Sequence, residues 1–345
     1  MFAVIRLDFD PSTSVFGLSV RLETLVLAGV IFLVLLLAAL IAGRSNAALA
    51  PVEGADDAAG SRLRRDDLIL IAFGAVPGAV VGGRLGYVLL HLDYYSANQR
   101  AITDPGQGGL GLTLAVVLGT LTAVAVARLL AAPVGRWLSV ASIPVLLGLG
   151  LGKLAMVLGG AGQGGYSDAS WATAYVQPGP WESLNPSYPA VPSQVIEGAL
   201  VLTVAVVVLA VPFLLRLRIR RWRRLGRPGL APRRDWAVLT GGRRYLTVLG
   251  LWAIVRFAAA FTWRDARVLG PFGAEQLVLV PVAVVALCGP LAVAAIRGAR
   301  RALVGRRAAR RAARGEKAAE ARGEKAAETP AAETVAAEAA TDRAS

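Results

Sequence analysis

Apolar residues fill seven long stretches of the chain, and polar and basic residues collect between them. The stretches are Leu22–Ala42, Leu68–His91, Gly109–Leu130, Leu138–Leu158, Ser193–Leu215, Tyr245–Phe261 and Gly273–Ala295. About 20 apolar residues cross the hydrocarbon core of a bilayer as a helix, so each stretch predicts one membrane span. Basic residues set the expected orientation. They cluster after the first span (Arg44, Arg62, Arg64, Arg65), between the third and fourth (Arg128, Arg136), after the fifth (Arg216 to Arg244) and after the seventh (Arg297 to Arg307). With seven spans all four clusters fall on one side, which the positive-inside rule makes cytoplasmic. The reading is an all-α integral membrane protein with seven transmembrane helices, its N-terminus outside and its C-terminus cytoplasmic. Residues 1–21 form an external segment, 22–297 the membrane domain, and 298–345 a basic, then Ala/Glu-rich, disordered tail.

Composition agrees with this. The chain is 55% hydrophobic and 17% charged, too apolar for a water-soluble globule of 345 residues. A net charge of +14 raises the question of nucleic acid. The arginines lie between the spans, where topology explains them, and no nucleic-acid partner is expected. Arg6, Asp8, Asp10 and Pro11 interrupt the opening residues, so no cleavable signal peptide is read there. Cys288 is the lone cysteine, which excludes an internal disulfide, and it is expected as a small core residue.

The candidate chemistry is cationic. Arg84, Lys153 and Arg256 lie inside predicted spans, each in the half nearer the outer surface. A cation in hydrocarbon costs at least about 2.5–3.5 kcal/mol on insertion scales, so it faces a cavity, a partner or a bound anion. Each also satisfies itself by snorkelling or by pairing with a buried acid. Three at matching depth point to one anion site, and a phospholipid headgroup is the anion at that level. Glu23 and Glu197, near the outer ends of the first and fifth spans, are available as partners. His91 is the single histidine, at the end of the second span; it is a possible proton acceptor or an interfacial residue beside Tyr94 and Tyr95. One His and one Cys make no metal site, and no cofactor is expected. The run from Gly159 to Gly165 has too many glycines to continue a helix; its backbone N–H groups suit an oxyanion, and its composition suits a flexible exit from the membrane.

Several short motifs share an order. They are Ile5-Arg6-Leu7-Asp8-Phe9-Asp10-Pro11, Gly82-Gly83-Arg84-Leu85-Gly86-Tyr87 with Asp93-Tyr94-Tyr95, Pro192-Ser193-Gln194-Val195-Ile196-Glu197, Arg256-Phe257, and Gln276. In this order, on seven spans, the chain resembles the bacterial prolipoprotein diacylglyceryl transferases from Met1 to about Arg297. The resemblance implies a multi-pass protein of the bacterial plasma (inner) membrane. It implies transfer of a diacylglyceryl group from phosphatidylglycerol to the lipobox cysteine thiol of a lipoprotein precursor, with glycerol phosphate leaving. Arg256 and Lys153 are then the catalytic candidates. Arg84, Lys153, Gly164, Gln194, Glu197 and Arg256 are the substrate-binding candidates, and His91 or Glu23 a replacement base.

The replacement is needed because the chain departs from the family pattern. The family box Gly-Arg-x-Gly-Asn-x-x-Asn-x-Glu-x-x-Gly is matched here only by Gly152, the basic Lys153 and Gly164; Met156, Gly159 and Ala161 stand where two Asn and the Glu are expected. Thr113 stands where the third-span His belongs, Glu23 where a Tyr belongs, and Ala260 where a sixth-span Glu belongs. Two other functions therefore stand beside the enzyme. One is a catalytically silent relative that binds phosphatidylglycerol or prolipoprotein; the other, weaker one is a lipid or anion transporter.

Overall fold

Each predicted span becomes a helix, and the flanks of these helices stay apolar where they face outward. The computed structural model describes residues 4–47, 63–104, 109–176, 188–224 and 242–292. The helices are α1 (Leu22–Ala47), α2 (Arg65–Leu90), a short α3 (Leu92–Ala97), α4 (Leu112–Leu129), α5 (Val134–Ala155), α6 (Ser193–Arg224), α7 (Gly242–Ala259) and α8 (Ala274–Ala292). All but α3 are long and apolar enough to cross a membrane. Phe32, Phe73, Leu121, Val206 and Val285 are more than half exposed, a surface that suits acyl chains and would be costly in water. Residues Met1–Leu287 form one compact unit; of a second, Cys288–Ser345, the described residues are Cys288–Ala292. The tail expected to be disordered lies outside the described residues. Cys288 is exposed, a correction to its expected place in the core: it is on the outward side of α8, away from the buried Ala286.

Small residues let the helices approach. Along α2, Gly74, Gly78 and Gly82 recur every fourth residue and so share one face, which packs on α4. A Cβ at Gly82 would lie 2.3 Å from the Leu114 carbonyl oxygen, and one at Gly78 2.6 Å from that of Leu118. Gly150 on α5 and Gly198 on α6 do the same, each meeting the other's carbonyl oxygen at 3.0–3.3 Å if given a Cβ. A core of Leu146, Val201, Ala205, Val248, Trp252, Ala253 and Leu279 joins α5, α6, α7 and α8.

At the end where α1, α4, α6 and α8 begin, the chain adds strands that helical periodicity did not predict. Strand β1 (Ile5–Leu7) pairs in parallel with β4 (Thr173–Tyr175), in register Ile5 with Thr173 and Leu7 with Tyr175. Strands β2 (Ser12–Val15) and β3 (Leu18–Arg21) form a hairpin that leads straight into α1, and β5 (Arg267–Leu269) with β6 (Phe272–Gly273) form one between α7 and α8. The strands are two to four residues long, too short for an alternating pattern to register in the sequence.

A bulky side chain at the α2–α4 contact tests the packing. Gly82→Leu meets backbone rather than a flexible side chain, so it is expected to destabilise the protein by about 1–3 kcal/mol. Thermal unfolding in detergent micelles checks this, with Gly29→Leu as control because a Cβ there meets nothing within 4 Å.

Candidate active site at one end of the bundle

The polar cluster sits one helical turn beyond the apolar core. Glu197 precedes Val201 by four residues on α6, Arg256 follows Trp252 by four on α7, and Glu275 precedes Leu279 by four on α8. The spacing puts each charged residue on the buried stripe of its helix. Lys153, two turns past Leu146 on α5, joins them beside the tight Gly150–Gly198 crossing. Lys153 Nζ lies 3.1 Å from Glu197 Oε2, and the other Glu197 oxygen accepts from Arg256 Nη1. Arg256 also donates to Glu275 Oε1, from Nη2 at 2.6 Å and from Nε at 2.8 Å. Thr113 of α4 completes the set: its hydroxyl donates to Glu275 Oε1 at 2.5 Å and accepts from Arg256 Nε at 3.3 Å.

Two cations and two carboxylates make this cluster formally neutral. That is what burial demands, since Glu197 is fully buried and the Arg256 and Lys153 side chains are 4% and 11% exposed. The indole of Trp263, just past α7, lies over both cations, with its ring centroid 4.5 Å from the Arg256 guanidinium carbon and 5.3 Å from Lys153 Nζ. A cavity of about 230 Å³ opens above the cluster. Lys153, Arg256, Trp263, Arg264 and Asp265 line it together with Gly162 and Gln163.

The loop after α5 forms the floor of this end. Gly162 takes a left-handed φ of +79°, which a side chain would resist. Gly164 donates its N–H to the Val191 carbonyl at 2.8 Å, and a Cβ on it would lie 2.1 Å from the Thr262 carbonyl oxygen. Ser193 also donates to that Thr262 carbonyl, so the loop, the start of α6 and the end of α7 are tied at one point. Tyr175 donates its hydroxyl to the Val157 carbonyl and is bonded by the Gln194 amide. Burial, with the nearby Glu23 charge, pushes the Tyr175 phenol up to about 12.

Against the expected site, the structure brings together Lys153, Arg256 and Glu197 and separates the rest. Arg84 does not join them. Its guanidinium donates to the carbonyls of Ile102 (2.8 Å from Nε), Ala101 and Gly109, and it lies 5.3 Å from the Tyr95 ring, so it fastens the α2–α4 connection. The expectation of three cations converging on an anion is corrected in this respect, and the two that meet already hold carboxylates. Gly164 is a packing point whose N–H is engaged by Val191. Gln194 is buried beside the Gly162 turn, with Oε1 unpartnered among the described residues. His91 is exposed; its Nδ1 lies 2.9 Å from the Tyr87 carbonyl oxygen, and its ring is stacked 4.2 Å from that of Tyr87. Glu23 packs against Gly159, where a Cβ would clash with its Oε2. Neither lines the cavity. Gln276 caps α8, accepting from the Gly273 N–H and donating to the Phe257 carbonyl.

Residues 25–291 match the family model described as prolipoprotein diacylglyceryl transferase. The chain belongs to that family. Among curated relatives, the phosphatidylglycerol–prolipoprotein diacylglyceryl transferase of Geobacter sulfurreducens is 31% identical over 144 residues, covering 41% of this chain and 52% of the relative. The protein of the same name from Agrobacterium fabrum is 30% identical over 147 residues, covering 42% and 49%. The chain thus spans about half the length of the curated relatives it matches. Within this diacylglyceryl transferase family member, sequence reasoning missed Glu275, Trp263 and Asp265. Glu275 opens a span next to Gln276, which drew attention through its motif. Trp263 and Asp265 lie in a loop, where no periodicity marks a side chain that turns inward.

Two outcomes follow. Glu197→Gln leaves Lys153 without its carboxylate in a buried place, so the loss in stability is expected at about 3–5 kcal/mol, read by thermal unfolding in detergent. The Tyr175 phenol keeps its proton in the folded protein to about 12, against about 10 when unfolded. Its contribution is therefore intact below about pH 10 and is lost as pH rises towards 12. Ultraviolet titration should find a late-ionising tyrosine that is absent from Tyr175→Phe.

Proposed function

We propose that this protein transfers the diacylglyceryl group of phosphatidylglycerol to the cysteine thiol of a lipoprotein precursor at the outer face of the bacterial plasma membrane. The observation that carries the reading is the 230 Å³ cavity, whose lining has three cations (Lys153, Arg256 and Arg264) and one carboxylate (Asp265). Glu197 and Glu275 neutralise the buried cluster from behind without lining that space. The phosphodiester of the lipid is placed here against the cations, and its acyl chains extend along the apolar flanks. Attack of the thiolate on the glyceryl carbon forms the C–S bond as the C–O bond to phosphorus breaks. The electron pair leaves with glycerol phosphate, and positive charge fixed beside the departing oxygen stabilises it. Arg offers two parallel donors to phosphate and Lys a compact charge, so the two are not interchangeable. The basic clusters support the orientation with the N-terminus outside and the C-terminus cytoplasmic.

A silent lipid-binding relative is the second reading, favoured by the carboxylates that Lys153 and Arg256 already hold. One experiment separates them. The purified protein in vesicles containing phosphatidylglycerol, given a lipobox peptide, is expected to add a diacylglyceryl mass to the peptide cysteine. Lys153→Ala is expected to lower that rate by about 10²–10³-fold, the scale of one lost charge-stabilising donor, and Lys153→Arg by less. Lipid retention without any peptide product supports the silent reading instead.

A further inference from the structure

We propose that Asp265 is the proton acceptor for the attacking thiol. This rests on the transfer reaction proposed above, which needs a thiolate and therefore a place for the thiol proton. The pattern of occupied carboxylates leads to it. Glu197 has both oxygens engaged, by Arg256 and Lys153, while Glu275 accepts from Arg256 and Thr113 on Oε1 and does not line the cation-bearing cavity. Asp265 has no hydrogen bond or ion pair to a described residue, lines the cation-bearing cavity, and also lines a smaller one of about 60 Å³ towards Glu275 and Gln276. An acceptor must have a lone pair open to the substrate, and among the described carboxylates at this end Asp265 is the one that both lines the cavity and is unengaged.

The charged groups around it come from every neighbouring element. Lys153 of α5, Arg256 of α7, and Arg264 and Arg267 of its own loop are positive; Glu275 of α8 is negative; His91 stands at the end of α2. Asp265 is open to the cavity, yet enough protein surrounds it that burial, followed by the Glu275 charge, pushes its carboxyl up from the ordinary value. His91, Arg256 and Arg264 pull in the other direction. A carboxylate raised in this way is a better match to a thiol than a solvated one. In the step, the Cys S–H proton passes to an Asp265 oxygen, and the thiolate displaces glycerol phosphate from the diacylglyceryl carbon. The proton then leaves Asp265 for water at the cavity mouth, which restores the carboxylate.

The test uses the full chain in phosphatidylglycerol vesicles with a lipobox peptide, comparing Asp265→Asn and Asp265→Glu with wild type across pH. Asp265→Asn is expected to lose about 10²–10⁴ in kcat/KM for the peptide near neutral pH. Its rate should then climb about tenfold per pH unit towards the free thiol pKa of about 8.5, because only pre-formed thiolate reacts. Asp265→Glu should recover part of the loss. Phosphatidylglycerol retention and melting temperature should stay near wild type, since the carboxylate bonds nothing in the fold. An Asn variant as fast as wild type, or one that loses lipid retention in proportion to rate, overturns the assignment while leaving transfer in place. A wild-type protein that makes no product overturns the transfer reading itself, and the proton acceptor with it.

Discussion

Arg256 is the residue around which the membrane domain closes. Its guanidinium reaches Glu197 on α6, Glu275 on α8 and Thr113 on α4, and Glu197 passes the connection on to Lys153 on α5. Four helices thereby converge on one side chain of a fifth. Such a cluster is stable only when complete. Every member is buried, so loss of one leaves a charge in a medium that cannot solvate it. Hydrogen bonding within it also fixes direction, because a fork of donors facing two carboxylates admits few arrangements. The same polar logic recurs at the other end of the α4–α7 contact, where the Thr120 and Tyr245 hydroxyls meet at 2.6 Å.

Close helix crossings make this convergence possible. The van der Waals contacts at Gly82–Leu114 and Gly150–Gly198 bring backbones together, and side chains one turn away then meet. Between helices in lipid there is little hydrophobic gain from association, so such contacts and the polar cluster carry much of the specificity. The loops at this end add a second layer. The Gly164–Thr262–Ser193 knot ties three segments, and β1 lies alongside β4. Trp263 is held over Lys153 and Arg256 and lines the cavity beside them.

This layering shows how the polar end of this member of the diacylglyceryl transferase family is organised. Thr113, in place of the expected histidine, bonds Arg256 and Glu275, and Glu23, in place of a tyrosine, packs on Gly159. Lys153 and Arg256 are thus oriented by Glu197, which the motif names, and Arg256 also by Glu275 and Thr113, which it does not. What remains open to a ligand is the side facing Arg264 and Asp265.

The spans, the alternation of basic loops, and three of the cluster's members (Lys153, Glu197 and Arg256) were legible in the chain itself. Long apolar runs and charges interrupting them are local signals, set by the cost of placing polar groups in hydrocarbon. Family motifs added Gln276 and Gln194, though the structure gives Gln276 a capping task. Tertiary structure alone decided which charges meet. Arg84 has the same sequence context as Lys153, yet the path of the loop after α3 offers it carbonyl oxygens and draws it away. Glu275 and Asp265 lie at and beyond the ends of spans, where a carboxylate is ordinarily a solvated one. Only the crossing of α7 with α8, and the turn of the loop between them, brings one against Arg256 and leaves the other facing the cavity. Pairing in a low-dielectric interior depends on separations of a few ångströms between residues far apart in the chain, and no local pattern encodes those distances.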